Sequence, residues 1–304
     1  MSPRVADWFH ARFEQPTPIQ RRAWPRVYSG HSCLIAAGTG QGKSLAALLP
    51  LIDRLLQSPA GGRILYVAPL RALSNNMAEG LIEQIDSLCA GRPRALRVAV
   101  RTGDTPLAQR RAQLRRPPQL LLTTPESLFV LLGSAGGRRL LSGFSAVVVD
   151  EIHALADSKR GAHLALSLGR VDALIGKREL QRIGLSATAR PLRRMARFLV
   201  GTDRPCAMVS NALAVPVDVR LEVGAEPLQS LAGQGRWAFV IERLAEFTRD
   251  GERVLVFCNT RALVERLAAA LAERLGERRV AAHHGSLGLA RRSAVEQGLR
   301  AGEL

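Results

Sequence analysis

The apolar run Cys33-Leu34-Ile35-Ala36 passes into Ala37-Gly38-Thr39-Gly40-Gln41-Gly42-Lys43-Ser44 and then into Leu45-Ala46-Ala47-Leu48-Leu49. No other stretch restricts the fold as tightly. A short apolar run, a glycine-rich loop and a helical run in that order require a strand whose carboxyl end feeds a tight turn and then a helix. The three glycines let the loop curl so that its N–H groups converge on phosphate oxygens, and the helix adds the positive end of its dipole. Gly38, Thr39, Gly40, Gln41, Gly42, Lys43 and Ser44 are therefore the candidate phosphate-binding residues. In this reading Lys43 neutralises the terminal phosphates of a nucleotide and Ser44 holds Mg²⁺. The strict pattern begins with glycine; Ala37 stands there instead, tolerable because the later glycines make the turn.

A second segment matches the first in kind. Val147-Val148-Val149-Asp150-Glu151-Ile152-His153 is a β-branched run, suited to a strand covered on both faces, that ends in two carboxylates and a histidine. Open α/β sheets bind ligands at the carboxyl ends of their strands, so Asp150 and Glu151 are expected to face a site. Asp150 suits a metal held largely through water, and Glu151 suits orientation and deprotonation of an attacking water. His153 lies one turn further on.

Around these two segments, strand-like and helix-like stretches alternate as in a wound parallel sheet. Residues 64–68, 96–100, 119–123, 146–150 and 181–185 read as strands, and residues 79–89 and 163–175 carry apolar positions at helical spacing. A proline-containing, weakly periodic stretch from about Gly201 to Val215 marks a boundary. Beyond it, residues 217–223 alternate as a strand with one wet face; strands are also expected at 254–258 and 280–283, and helices at 237–249, 261–275 and 291–300. The expected organisation is a first domain over 1–205, a linker and first strand of a second domain over 206–235, and a partial second domain over 236–304.

Charge narrows the partner. The formal net charge is +17, and only three of the 43 basic residues are lysines (Lys43, Lys159, Lys177). Such a balance points to a polyanion or acidic surface, with part of the arginine bias attributable to a GC-rich genome. Eight arginines lie between Arg92 and Arg116 against the single acid Asp104; the ordinary alternative is a solvated helix face. Four widely separated cysteines without paired spacing suit a reducing cytoplasm, and no stretch approaches the roughly 18 apolar residues of a membrane helix.

Five segments, the acidic one above among them, carry a resemblance in order: Pro16-Thr17-Pro18-Ile19-Gln20, Ala68-Pro69-Leu70-Arg71-Ala72-Leu73, Thr123-Thr124-Pro125-Glu126-Ser127, Asp150-Glu151-Ile152-His153 and Ser186-Ala187-Thr188. With the glycine loop they look like the ordered motifs of superfamily 2 helicases. More narrowly, residues 150–168 and 181–188 resemble the large helicase-related (Lhr) family. The likeness continues through Val256-Phe257-Cys258-Asn259-Thr260-Arg261 and His283-His284-Gly285-Ser286-Leu287. It implies an α/β P-loop NTPase of two tandem RecA-like domains with parallel sheets. It also implies an ATP- and Mg²⁺-dependent translocase on single-stranded DNA or RNA, moving 3′ to 5′, with a role in DNA repair or nucleic-acid processing.

Individual roles follow with their alternatives. Gln20 carries an amide that donates and accepts at once, as an adenine edge requires, unless it is a surface glutamine after a Pro-rich turn. Phe13 or Trp8 is positioned to stack on a base or to sit in the core. Ser186, Ala187 and Thr188 would couple the γ-phosphate site to the nucleic-acid groove, unless Ser186 merely caps a helix. A sequence-tolerant motor grips phosphates rather than base edges. Pro69, Arg71, Thr102, Gly103, Thr124 and Pro125 are the candidates in the first domain, and Asn259, Thr260, Arg261, His284 and Gly285 in the second. The resemblance leads one to expect two more segments beyond His283-His284-Gly285-Ser286, the later an arginine-rich helix bearing an arginine finger. Arg291 and Arg292 do not match that context, so a downstream polypeptide or partner is expected to complete the second domain. The rival readings are an ATP-gated nucleic-acid-binding module and an inactive helicase fragment.

Overall fold

The computed structural model describes residues 1–58, 62–69, 75–90, 96–176, 179–187, 191–211, 218–222, 233–248 and 253–304. Two compact units divide at Val217 and Asp218.

The first unit is built on seven strands, all paired in parallel: β1 (Cys33–Ala36), β2 (Ile64–Val67), β3 (Val98–Arg101), β4 (Leu120–Thr123), β5 (Ala146–Val149), β6 (Gln181–Ser186) and β7 (Ala207–Ser210). They run in the order β3-β4-β2-β5-β6-β1-β7. Parallel strands need crossovers, and helices supply them on both faces. One layer comprises α1 (Pro3–His10), α2 (Pro18–Tyr28), α3 (Lys43–Gln57) and α4 (Asn75–Cys89). The other elements are α5 (Leu107–Arg115), α6 (Pro125–Leu132), α7 (Ala135–Leu141), α8 (Ile152–Ala156), α9 (Lys159–Ile175) and α10 (Leu192–Val200).

Strand residues alternate between the two layers, as a side-chain period of two requires. Cys33, Ile35, Ile64, Tyr66, Val148 and Leu185 join a core with residues of α1, α2, α3 and α4. Leu34, Leu65, Val67, Val147 and Val149 join a second core with residues of α6, α7, α8, α9 and α10. Burial on both sides explains why β1, β2, β4 and β5 read as unbroken apolar runs.

One register positions everything that follows. Ala36 lies beside Ser186, Val149 beside Gly184 and Val67, Val67 beside Thr123, and Thr123 beside Arg101. The carboxyl ends of six strands therefore end along one edge of the sheet.

Two expectations need correction. Residues 207–210, assigned from sequence to a linker, form β7 and extend the first sheet beside β1. They read as a linker because the strand is short and only Val209 is buried, the pattern of an edge strand without alternating polar punctuation. The second unit contains α11 (Gly233–Phe247), α12 (Arg261–Leu275), a 3₁₀ turn (Glu277–Arg279) and α13 (Leu289–Ala301), but no strand among its described residues. The strands expected at 254–258 and 280–283 are not formed, and the described part of 217–223 is irregular as well. An apolar or alternating run forms a strand only where a neighbour supplies ladder hydrogen bonds. Without one, Leu255 and Phe257 remain 65% and 92% exposed. Among the helices of this unit, α11 and α12 pack on each other through Ile241, Ala245, Leu267 and Leu271.

Candidate functional site

β1 ends at Ala36, and the Ala37 N–H donates to the Ser186 carbonyl at 3.1 Å, which fastens the start of the glycine loop to β6. Ala37 is accepted because Glu151 is the only non-glycine with positive φ among the described residues; the left-handed positions fall on Gly40 (φ +77°) and Gly42 (φ +80°). Lys43 and Ser44 then open α3. The Lys43 ammonium donates to the Gly38 carbonyl at 2.8 Å, lying across the loop. Burial lowers its pKa, against the carboxylates of Glu151 and Asp150, which pull it up.

Gln20 braces this loop. Thr17 caps α2, its hydroxyl accepting from the Gln20 N–H while Gln20 Oε1 accepts from the Thr17 N–H at 3.0 Å. The same side chain donates through Nε2 to the Gly42 carbonyl at 3.2 Å, and the Thr17 hydroxyl donates to the Gln41 carbonyl at 3.0 Å. Only 3% exposed, Gln20 is not a surface residue, and its amide is engaged on both sides by the protein. Trp8 is buried in the core, and Phe13 packs beside it with ring centroids 6.2 Å apart.

At the end of β5, Asp150 is 5% exposed and accepts twice: from the Glu151 N–H on Oδ1 at 2.8 Å, and from the Tyr66 hydroxyl on Oδ2. Burial, then the adjacent Asp150 charge, raises the Tyr66 pKa well above the usual phenol range, so the hydroxyl remains a donor. Glu151 itself adopts φ 49°, ψ 40°. Left-handed backbone is costly for a residue with a Cβ and concentrates at functional positions. Its carboxylate lies 3.3 Å from His153 Nε2, and His153 Nδ1 lies 3.0 Å from Ser186 Oγ. An ionised carboxylate only accepts, so a neutral His153 carries its proton on Nε2 and accepts at Nδ1 from the Ser186 hydroxyl. Glu151, His153 and Ser186 thus lie in sequence across β5 and β6, joined by an ion-pair-range contact and then a hydrogen bond. Ser186 does not cap α10, whose N-cap is Pro191. Ala187 continues from Ser186, and Thr188 lies outside the described residues.

Further along the edge, Pro69, Thr102, Gly103 and Thr124 line one cleft of about 780 Å³ that also reaches Glu151 and Arg160. Pro125 does not line it; it is buried as the first residue of α6, and the Thr124 hydroxyl caps that helix by accepting from the Ser127 N–H. Arg71 lies outside the described residues. Arg160 was not singled out from the sequence. It is joined to Glu126 by an ion pair at 2.6 Å whose partner lies 34 residues away, a link that local pattern does not reveal. The arginine tract divides by role. Arg101 is buried against Gln113, and Arg110 donates to the carbonyls of Thr102, Gly103 and Thr105, so both shape the loop. Arg97, Arg111, Arg115 and Arg116 are exposed.

In the second unit, Asn259, Thr260, Arg261 and His284 line a separate cavity of about 830 Å³. Thr260 caps α12, Arg261 donates to Ser286, and His284 Nε2 lies 2.6 Å from Glu265. Gly285 follows without a close neighbour at its Cβ position.

Residues 17–195 match the family model of the DEAD/DEAH box helicases. The chain is 38% identical to the Lhr helicase/probable uracil glycosylase of Mycolicibacterium smegmatis over 98% of its own length and 22% of that protein's. It is 36% identical to the ATP-dependent helicase Lhr-Core of Methanothermobacter thermautotrophicus over its full length and 37% of the relative's. Among solved structures, the Mycobacterium smegmatis helicase Lhr bound to single-stranded DNA and AMP-PNP superposes with a TM-score of 0.85 at 41% identity, covering all of this chain and 40% of that one. The chain thus spans well under half the length of these relatives.

Proposed function

The chain belongs to the DEAD/DEAH box helicase family, and from that premise we propose that it is the motor portion of an Lhr-type, ATP-dependent translocase or helicase acting on single-stranded DNA or RNA–DNA hybrids, with DNA repair as its setting. The observation that carries this reading is the register of β1, β6 and β5, which brings Lys43 and Ser44, Ser186, and Asp150 with Glu151 to adjoining strand ends. The cleft beside them begins at Glu151 and continues to Thr102 and Thr124, so one carboxylate borders both regions.

In this reading Lys43 and the loop N–H groups hold the phosphates of ATP. Ser44 and Asp150 are hard oxygen donors and fit Mg²⁺, which when bound neutralises charge developing on the phosphates. Glu151 orients the attacking water and takes its proton. His153 holds Glu151 in place and links it to Ser186, so a shift at the phosphates reaches β6 and its following segment. Nucleic acid enters the cleft, held by phosphate contacts from Thr102, Gly103, Thr124 and the exposed arginines. Among the described residues no helix is long and apolar enough to cross a membrane, in keeping with a cytoplasmic site of action.

The test is ATP turnover by the chain with and without single-stranded DNA. Stimulated turnover that falls by about 10² to 10⁴ in Glu151→Gln, with nucleotide affinity retained, is expected. Binding without turnover would instead favour a nucleotide-gated binding module. Turnover unchanged by Glu151→Gln would remove Glu151 from the role of base.

A further inference from the structure

We propose that Tyr66 is a positioning residue for the metal-binding carboxylate Asp150, an inference that rests on the nucleotide-site reading above. Tyr66 lies on β2, outside the glycine loop and the acidic strand end, and is fully buried. Its register partner on β5 is Val148, and both point into the same core. Asp150 follows Val148 by two residues and so returns to that face. Two residues of strand advance by about 6.6 Å, which a tyrosine side chain spans and the aliphatic residues of the neighbouring strands do not. The phenol therefore meets Asp150 end-on, donating to Oδ2 while the Glu151 N–H donates to Oδ1.

One buried phenol thus sets the rotation of Asp150, from a strand that contributes no ligand itself. Partners behind metal ligands commonly account for about 10- to 100-fold in metal affinity. Packing alone would not select tyrosine here: phenylalanine fills the same volume, and a purely apolar position would leave Asp150 Oδ2 without its donor.

The experiment is calorimetric titration of the whole chain with ADP, with and without Mg²⁺, for wild type, Tyr66→Phe, Asp150→Asn and the double variant, alongside ATPase rates against Mg²⁺ concentration. In Tyr66→Phe the metal-free ADP affinity stays within about twofold of wild type, whereas the strengthening of ADP binding by Mg²⁺ shrinks about tenfold and half-maximal ATPase moves to correspondingly higher Mg²⁺. In Asp150→Asn that strengthening is already lost, and adding Tyr66→Phe changes it no further. Equal strengthening by Mg²⁺ in wild type and Tyr66→Phe would overturn the assignment of Tyr66 while leaving the nucleotide site intact. A wild type whose ADP affinity ignores Mg²⁺ would overturn the metal site itself, and the assignment with it. Should Tyr66→Phe fail to fold, as thermal unfolding would reveal, Tyr66→Met supplies the same donor-free comparison: a Mg²⁺ effect on ADP binding reduced about tenfold supports the assignment, and ADP binding that gains normally from Mg²⁺ overturns it.

Discussion

Replacing Gly42 by alanine tests the link between Gln20 and the glycine loop quantitatively. At φ +80° an alanine pays the left-handed penalty, about 1–2 kcal/mol, less roughly 0.7 kcal/mol recovered because the unfolded chain is stiffer. The new Cβ also collides with Gln20 Nε2 and stands 3.2 Å from Gln20 Cδ. That amide cannot retreat without giving up its bonds to the Thr17 N–H and the Gly42 carbonyl, each worth about 1 kcal/mol. Together these effects destabilise the first unit by about 3 kcal/mol, or about 6–12 °C in Tm for a unit of this size. The decisive measurement is a double-mutant cycle by thermal unfolding. In a Gln20→Ala background the collision is absent, so Gly42→Ala costs only about 1 kcal/mol and the coupling between the sites is about 2 kcal/mol. A cycle additive to within about 0.5 kcal/mol would refute the argument that Gln20 and Gly42 are mechanically joined.

Asp53 is fully buried in α3 and accepts from the Ser2 N–H, the Tyr28 hydroxyl and Gln57 Nε2. Burial pushes its carboxyl up, but these donors outweigh burial and hold it below the usual range. A depressed pKa stabilises the fold above the unfolded value near 4, and that stability is lost progressively as pH falls from there through the lower folded value. Asp53→Asn should therefore cost about 2 kcal/mol at pH 7 and progressively less below pH 4, with a difference constant from pH 7 to pH 3 counting against it. For nucleic acid, Arg101 and Arg110 are committed to the loop, so binding of single strands should weaken with salt at a log–log slope of only about −2 to −3, the contribution of three or four exposed arginines. A slope near zero would remove the arginine-phosphate interface.

The sequence was most legible where each residue's environment is set locally. β1, β2, β4 and β5 are covered on both faces, so their apolar runs are unbroken, and the glycines of the loop mark the turn they make. Asp150 and Glu151 stood out because carboxylates rarely follow three β-branched residues. Tyr66 did not, because in a string of core residues an aromatic ring looks like filler until the register with β5 puts its hydroxyl on Asp150. Gln20 was recognisable as a polar residue with work to do, yet its simultaneous use in the α2 cap and against Gly42 depends on a contact 22 residues away. β7 and the Glu126–Arg160 pair were hidden for the same reason, since both are fixed by partners far along the chain. In the second unit the apolar run at 254–258 was real, but a strand is a property of pairs and no partner is present among the described residues.

The strand order also governs when the site can exist during synthesis. β2, β3, β4 and β5 are contiguous in the sheet and complete once residue 149 has been made, so that half can assemble early. β1 lies between β6 and β7, and the Ser32 hydroxyl at its threshold waits for the Arg182 N–H 150 residues later. At about 5–20 residues per second a ribosome needs roughly 8–30 s to cover that distance. Throughout that interval the glycine loop hangs from a strand with no neighbour on either side. Nucleotide capture is thus among the last competences the emerging chain acquires, and a bound nucleotide certifies that the whole first sheet has closed.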